Sequence, residues 1–194
     1  MGPFLLDDNS TSFEHNDIGC MENLTSPAPQ NTEPYEVPAQ TRIGHVHLQV
    51  TDLDRALGFY CGILGFKLMQ RFGPQAAFVS AGGYHHHIGL NTWNSLGGPP
   101  ARKQGAGLYH TAILYATRAE LAGALRQLRA ANYPLTGAAD HGVSEAIYLD
   151  DPDGNGVELY WDRPRAQWPM SANGEVQMHT HALDLAALLA EAPQ

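Results

Sequence analysis

The sequence predicts an α+β domain in which two paired strand–helix–strand–strand units form one cupped, mostly antiparallel sheet with both helices outside. Three observations predict it. Runs of strict apolar/polar alternation mark strands. Two stretches with apolar residues at helical spacing open on capping residues. The pattern of the first half then recurs in the second, offset by the 65 residues from His45 to His110.

Residues 1–40 carry scattered Asn, Ser, Thr, Pro and acids with no sustained period, and the stretch from Pro27 to Pro38 suits neither a helix nor a central strand, so this segment is expected to be a disordered acidic leader. At Ile43 the texture changes. Ile43 to Val50 alternates, with His45, His47 and Gln49 on one face and Val46, Leu48 and Val50 on the other. Thr51 or Asp52 supplies an N-cap, and Leu53, Ala56, Leu57 and Tyr60 form a helical stripe that Gly62 to Gly65 ends. Strands are predicted at Ala76–Ala81 and Tyr84–Leu90, and the Gly- and Pro-rich loop from Asn94 to Gly107 closes this half.

The second half opens with a strand at Tyr109–Tyr115 that carries His110 near its start. Thr117 to Glu120 reads as a capping box, Leu121, Leu125 and Leu128 as the buried stripe of its helix, and Pro134 as the exit. Strands at about Glu145–Leu149 and Gly156–Trp161 flank Asp150 to Gly156, a dense turn signal. Residues 41–168 thus read as one domain, followed over 169–194 by a polar connector and a short amphipathic helix at Ala182–Glu191.

Charge narrows the partners. Of 20 acids, seven fall in residues 1–40, where there is no Lys or Arg, and the rest of the chain balances 13 acids against 11 bases. No clustered positive field exists for nucleic acid or an anionic membrane, and no apolar run approaches a membrane span. Met1 to Asp8 has no basic n-region, and Cys20 and Cys61 form no CxxC pair. A soluble, cytoplasmic protein without disulfides is expected.

Ten histidines remain to be explained, six of them between His45 and His110. If the two units share one curved sheet, His45, His110 and Glu158 come to its concave face. Two imidazoles and one carboxylate are the facial set that holds Fe(II) and leaves three adjacent positions open. A lone histidine of this kind is usually a hydrogen-bonded sheet residue. The recurrence at equivalent places, with Glu158 between apolar Val157 and Leu159, favours a metal site. His47 shares a strand face with His45, so the pattern alone does not choose between them. Alternation across His85-His86-His87 turns His86 away from its neighbours.

The motifs Gly44 to Leu48, Phe59-Tyr60 to Phe66, Gly83 to Ile88, Leu108-Tyr109-His110 and Asp151 to Trp161 resemble the vicinal oxygen chelate superfamily, specifically its catechol 2,3-dioxygenase branch of extradiol ring-cleaving enzymes. The resemblance covers about residues 42–168 and implies paired βαβββ units. It places the metal ligands on His45, His110 and Glu158, the acid/base histidine on His86, and substrate contacts on His141 and Tyr148. It implies Fe(II), with Mn(II) as the other ion considered, and a catechol-like aromatic diol and O2 as substrates; a homo-oligomer is expected, and well-studied members carry two such modules where this chain has one, which leaves substrate size and oligomeric state open. Two alternatives stand beside it. A glyoxalase-like isomerase or thiol transferase of the same superfamily would use a Lewis-acid metal, although no acid stands on the His85–His87 strand where an isomerase places a second glutamate. A drug-sequestering module would lack the ligand set altogether.

Overall fold

The computed structural model describes residues 34–102 and 104–193. Residues 1–41 form one unit, of which 34–41 are described. They are exposed, with a turn closed by the Thr41 N–H on the Pro38 carbonyl at 2.8 Å. Most of the expected leader lies outside the described residues.

The second unit, from Arg42 onward, starts with β1 (Val46–Gln49), whose Leu48 is buried. Asp52 is the cap of α1 (Leu53–Leu57): its carboxylate accepts the Arg55 N–H at 2.9 Å. The helix then widens into a π-helical turn at Gly58–Ile63, and adjacent Phe59 and Tyr60 are both buried. Strand β2 (Lys67–Phe72) pairs antiparallel with β3 (Ala76–Ser80) and is exposed along its whole length. With neither face buried it shows no alternation, which is why the sequence pattern missed it. Strand β4 (Ile88–Asn91) is buried throughout and runs parallel to β1.

The second half repeats the plan. Strand β5 (Thr111–Tyr115) leads to α2 (Arg118–Ala130), whose capping box between Thr117 and Glu120 forms as expected and whose Leu121, Leu125 and Leu128 are fully buried. Strands β6 (Gly137–Asp140), β7 (Ser144–Asp150) and β8 (Gly156–Asp162) follow, with β5 parallel to β8. A two-residue β9 (His181–Ala182) joins β6, and α3 (Leu185–Leu189) closes the chain with Asp184 as its cap.

The strand orders, β1-β4-β3-β2 and β5-β8-β7-β6-β9, show the internal repeat as topology. The fold is the expected α+β class, but the hydrogen bonds form two sheets of four and five strands where one was expected. Alternation reports which face of a strand is buried, not which edge is paired. Here the sheets join through side chains: β1, β3, β4, α1, α2, β7, β8 and α3 contribute to one core. The Asp-Pro-Asp-Gly-Asn turn adds a polar stitch. Thr51 and Arg55 donate to Asp153 at 2.6 Å each, and the buried Tyr60 hydroxyl donates to Asp151 at 3.1 Å. Among the described residues no helix is long and apolar enough to cross a membrane.

Candidate metal centre and its surroundings

Glu158 lies on β8, where the register sets it opposite Ala112 of β5 and Tyr148 of β7. His110 immediately precedes β5, and Gly156 is what lets β8 come this close: a Cβ there would run into the Tyr109 carbonyl and lie 3.1 Å from the His110 Cβ. The result is a contact of 2.9 Å between His110 Nε2 and Glu158 Oε2. On the other side, the Tyr148 hydroxyl is 3.1 Å from Glu158 Oε1 and 2.7 Å from His141 Nε2. Burial, reinforced by the charge of Glu158, pushes the Tyr148 phenol up to about 12, so it keeps its proton at neutral pH. A cleft of about 480 Å³ opens beside His110 and Tyr148, walled by the glycine-rich 105–107 segment and the Asn155–Gly156 turn. The structure thus brings four of the expected residues, His110, Glu158, Tyr148 and His141, into one contiguous chain.

His45 and His86 are placed elsewhere. The exposed His45, immediately before β1, packs its ring on His86 at 4.4 Å and near His85 at 6.5 Å. Alternation does not set His86 apart from its neighbours, because residues 84–87 form no strand, with bends at His85 and His87, and β4 begins only at Ile88. Gly82 and Gly83 take positive φ, which breaks the pleat. In consequence His85 and His86 meet, Nδ1 to Nδ1 at 2.8 Å, while His87 turns to the Ser80 hydroxyl at 3.0 Å. Burial and then the neighbouring imidazoles, His45 first, lower the His86 pKa and favour its neutral form. His47 separates from His45: its ring lies over Gly89, 3.0 Å from where a Cβ would stand, and packs against Trp93.

Among the described residues no three His, Cys, Asp or Glu side chains converge as they would around one ion. Two of the expected donors do suit a metal. Ligands bound cis at about 2.0–2.2 Å stand roughly 3 Å apart, which matches the 2.9 Å between His110 Nε2 and Glu158 Oε2. The third, His45, is not with them in the single chain. The pairing registers also locate the counterpart of Glu158 in the first half. Val46 pairs with Ile88 as Thr111 pairs with Val157, so the equivalent position is Gly89, which has no side chain.

This fold and this His–Glu pair define the class. The chain belongs to the Glyoxalase/Bleomycin resistance protein/Dioxygenase superfamily, whose model matches residues 42–159. It is 42% identical over 152 residues to the catechol-2,3-dioxygenase of Bacillus subtilis (strain 168), covering 78% of this chain and 52% of that protein. It is 30% identical over 128 residues to biphenyl-2,3-diol 1,2-dioxygenase 2 of Rhodococcus globerulus, covering 64% of each. The chain therefore spans from about half to under two thirds of these relatives' lengths. Among solved structures it resembles a glyoxalase/dioxygenase from Nostoc punctiforme, with a TM-score of 0.55 at 19% identity over 69% of this chain and 100% of that one. A glyoxalase/bleomycin resistance protein/dioxygenase from Alicyclobacillus acidocaldarius gives 0.52 at 17%, over 65% of this chain and 95% of that one. These likenesses concern the fold.

Proposed function

We propose that this chain is a non-haem Fe(II) extradiol dioxygenase, with Mn(II) as the alternative ion, that opens the ring of a small catechol-like diol with O2 in the cytoplasm. The observation that supports it is the unbroken series His110, Glu158, Tyr148 and His141 beside a cleft, in a chain whose curated relatives include diol dioxygenases. His110 and Glu158 would hold the ion, with His45 as third ligand. Since His45 is exposed and apart from the pair, it is assigned to the site of a second copy, which makes the active species a homo-oligomer. The ion these residues would hold would supply Lewis-acid and redox chemistry toward the diol and O2.

The protein's own groups do the rest. The Tyr148 phenol, held protonated, would accept a hydrogen from a substrate hydroxyl as its own passes to His141 behind it. Glu158 supplies a single carboxylate charge, which leaves the centre net positive toward a diol anion. His86, favoured as neutral imidazole and packed on His45, would take up or deliver a proton beside the ligand that the second copy contributes. The absence of a carboxylate at Gly89 argues against a four-ligand isomerase site.

Oxygen consumption with catechol after anaerobic Fe(II) loading tests the reading. Uptake of one O2 per diol, with a ring-opened semialdehyde product, is expected. Tight metal binding with no oxygen uptake across a panel of diols, and isomerase or thiol-transfer activity in its place, would sink it.

A further inference from the structure

The segment after β8 was expected to be only a connector, yet it lies across the β6–β7 turn that carries His141. Ser171 and Glu175 close a small hairpin at 2.8 Å, the Gln177 N–H donates to the Pro169 carbonyl at 2.8 Å, and β9 then pairs with β6. Between hairpin and β9 the strap meets His141 three times. The His179 N–H donates to the His141 carbonyl at 3.2 Å, the His179 carbonyl lies 3.1 Å from His141 Nδ1, and Thr180 Oγ1 lies 3.2 Å from the same nitrogen.

The chemistry of these partners decides the ring. A carbonyl oxygen only accepts, so Nδ1 must carry the hydrogen, and in a neutral imidazole the other nitrogen is then a bare acceptor. That nitrogen, Nε2, lies 2.7 Å from the Tyr148 hydroxyl and competes for the phenol's one hydrogen with Glu158 Oε1, an acceptor at 3.1 Å; the shorter contact favours Nε2. Gly142 makes the contact possible. It sits at φ 76°, and a Cβ on it would stand 2.5 Å from His179 Cε1 and 2.8 Å from Pro169 Cγ. Its N–H is held by Asp140 at 2.8 Å, and Asp140 in turn by Arg163 at 2.8 Å.

We propose that residues 169–182 form a positioning strap in which the His179 carbonyl and the Thr180 hydroxyl hold His141 as its Nδ1–H tautomer and turn bare Nε2 onto the Tyr148 hydroxyl. His179 and Thr180 are positioning residues acting through His141. The tautomer stands independently of the reaction, while its use, to take the phenol's hydrogen as Tyr148 engages substrate, rests on the function proposed above.

The test is the pair of imidazole ¹⁵N shifts of His141 in the full metal-free chain, assigned by comparison with His141→Gln. Nδ1 should fall in the N–H range and Nε2 in the bare range. In Gly142→Ala, which pushes the strap off, this single form should give way to a mixture. Should that variant not fold, Thr180→Val, an isosteric change at an exposed side chain, decides the matter. Exchange of the Nδ1 hydrogen with water should quicken about fivefold, the factor for a net hydrogen bond of about 1 kcal/mol, and Thr180→Ser should restore it. An Nε2–H form or a mixture in the parent chain overturns the proposal, as does a tautomer unchanged in folded Gly142→Ala. A chain with Nδ1–H and no oxygen uptake retires the dioxygenase reading and leaves the strap; an active dioxygenase with Nε2–H does the reverse.

Discussion

Glu158 uses both oxygens on neighbours, Oε2 on His110 and Oε1 on Tyr148, so a change there removes both the anion of the proposed metal centre and one of the two contacts of the phenol. Glu158→Ala should lose the ion outright, because no protein carboxylate would offset a dication, and metal analysis after desalting reads this directly. His86 stands in a separate ring cluster with His45 and His85. His86→Ala should therefore keep the metal and bind catechol while turnover falls about 100-fold or more, as for a lost proton-transfer group. Unimpaired turnover would remove its acid/base role, and loss of metal would place it among the ligands. At this scale the residue types and their spacing were legible before the structure. The bend at 84–87 was not, because positive φ at consecutive glycines overrides strand alternation.

Between elements, two polar stitches carry predictions. The first joins the π-helical turn after α1 to the β7–β8 turn through the buried Tyr60 hydroxyl on Asp151. Tyr60→Phe keeps the ring packing and removes the hydroxyl that donates to Asp151, which should lower stability by about 1 kcal/mol in urea unfolding; no change would show that the contact is idle. The second ties β6 to β8 through Arg163, which donates to Asp140 at 2.8 Å and to the buried Glu145 at 2.7 Å. Burial alone would raise the Asp140 pKa, but the Gly142 N–H, Arg163 and His179 outweigh it and hold the carboxyl below its ordinary 3.8. The unfolded chain then binds more protons than the folded one as pH drops. The contribution of Asp140 is complete above about 3.8 and is lost as pH falls through its folded-state value. Asp140→Asn should flatten the Tm profile in that acid range and leave its slope near neutrality unchanged; an unaltered acid limb would refute the assignment.

For the molecule as a whole, the question is how one chain supplies a complete site. If a second copy brings His45 to the His110–Glu158 pair, His45→Ala and Glu158→Ala are each inactive, yet mixing them under subunit exchange should restore part of the activity, because some pairs carry one intact site. A monomeric mass in solution together with full activity would defeat this arrangement. The N-terminal segment has no Lys or Arg through residue 40. Removing residues 1–38 should leave metal content and oxygen uptake unchanged; loss of folding would show that the segment does structural work.

What the sequence by itself determined was local and periodic. The leucine stripe of α2 with its capping box, the apolar faces of β1, β7 and β8, the 65-residue repeat, and the candidate set of His110, His141, Tyr148 and Glu158 all follow from spacing or motif resemblance within single segments. What only the tertiary structure decided was long-range. The split into two sheets depends on edge pairing, which leaves no mark on alternation. The closeness of His110 to Glu158 depends on the missing Cβ of Gly156, 46 residues along the chain from His110. The hold of His179 and Thr180 on His141 runs through a main-chain carbonyl and an exposed hydroxyl 38 and 39 residues away. A carbonyl is common to every residue and has no signature in sequence, so its choice of partner is made only when the chain is folded.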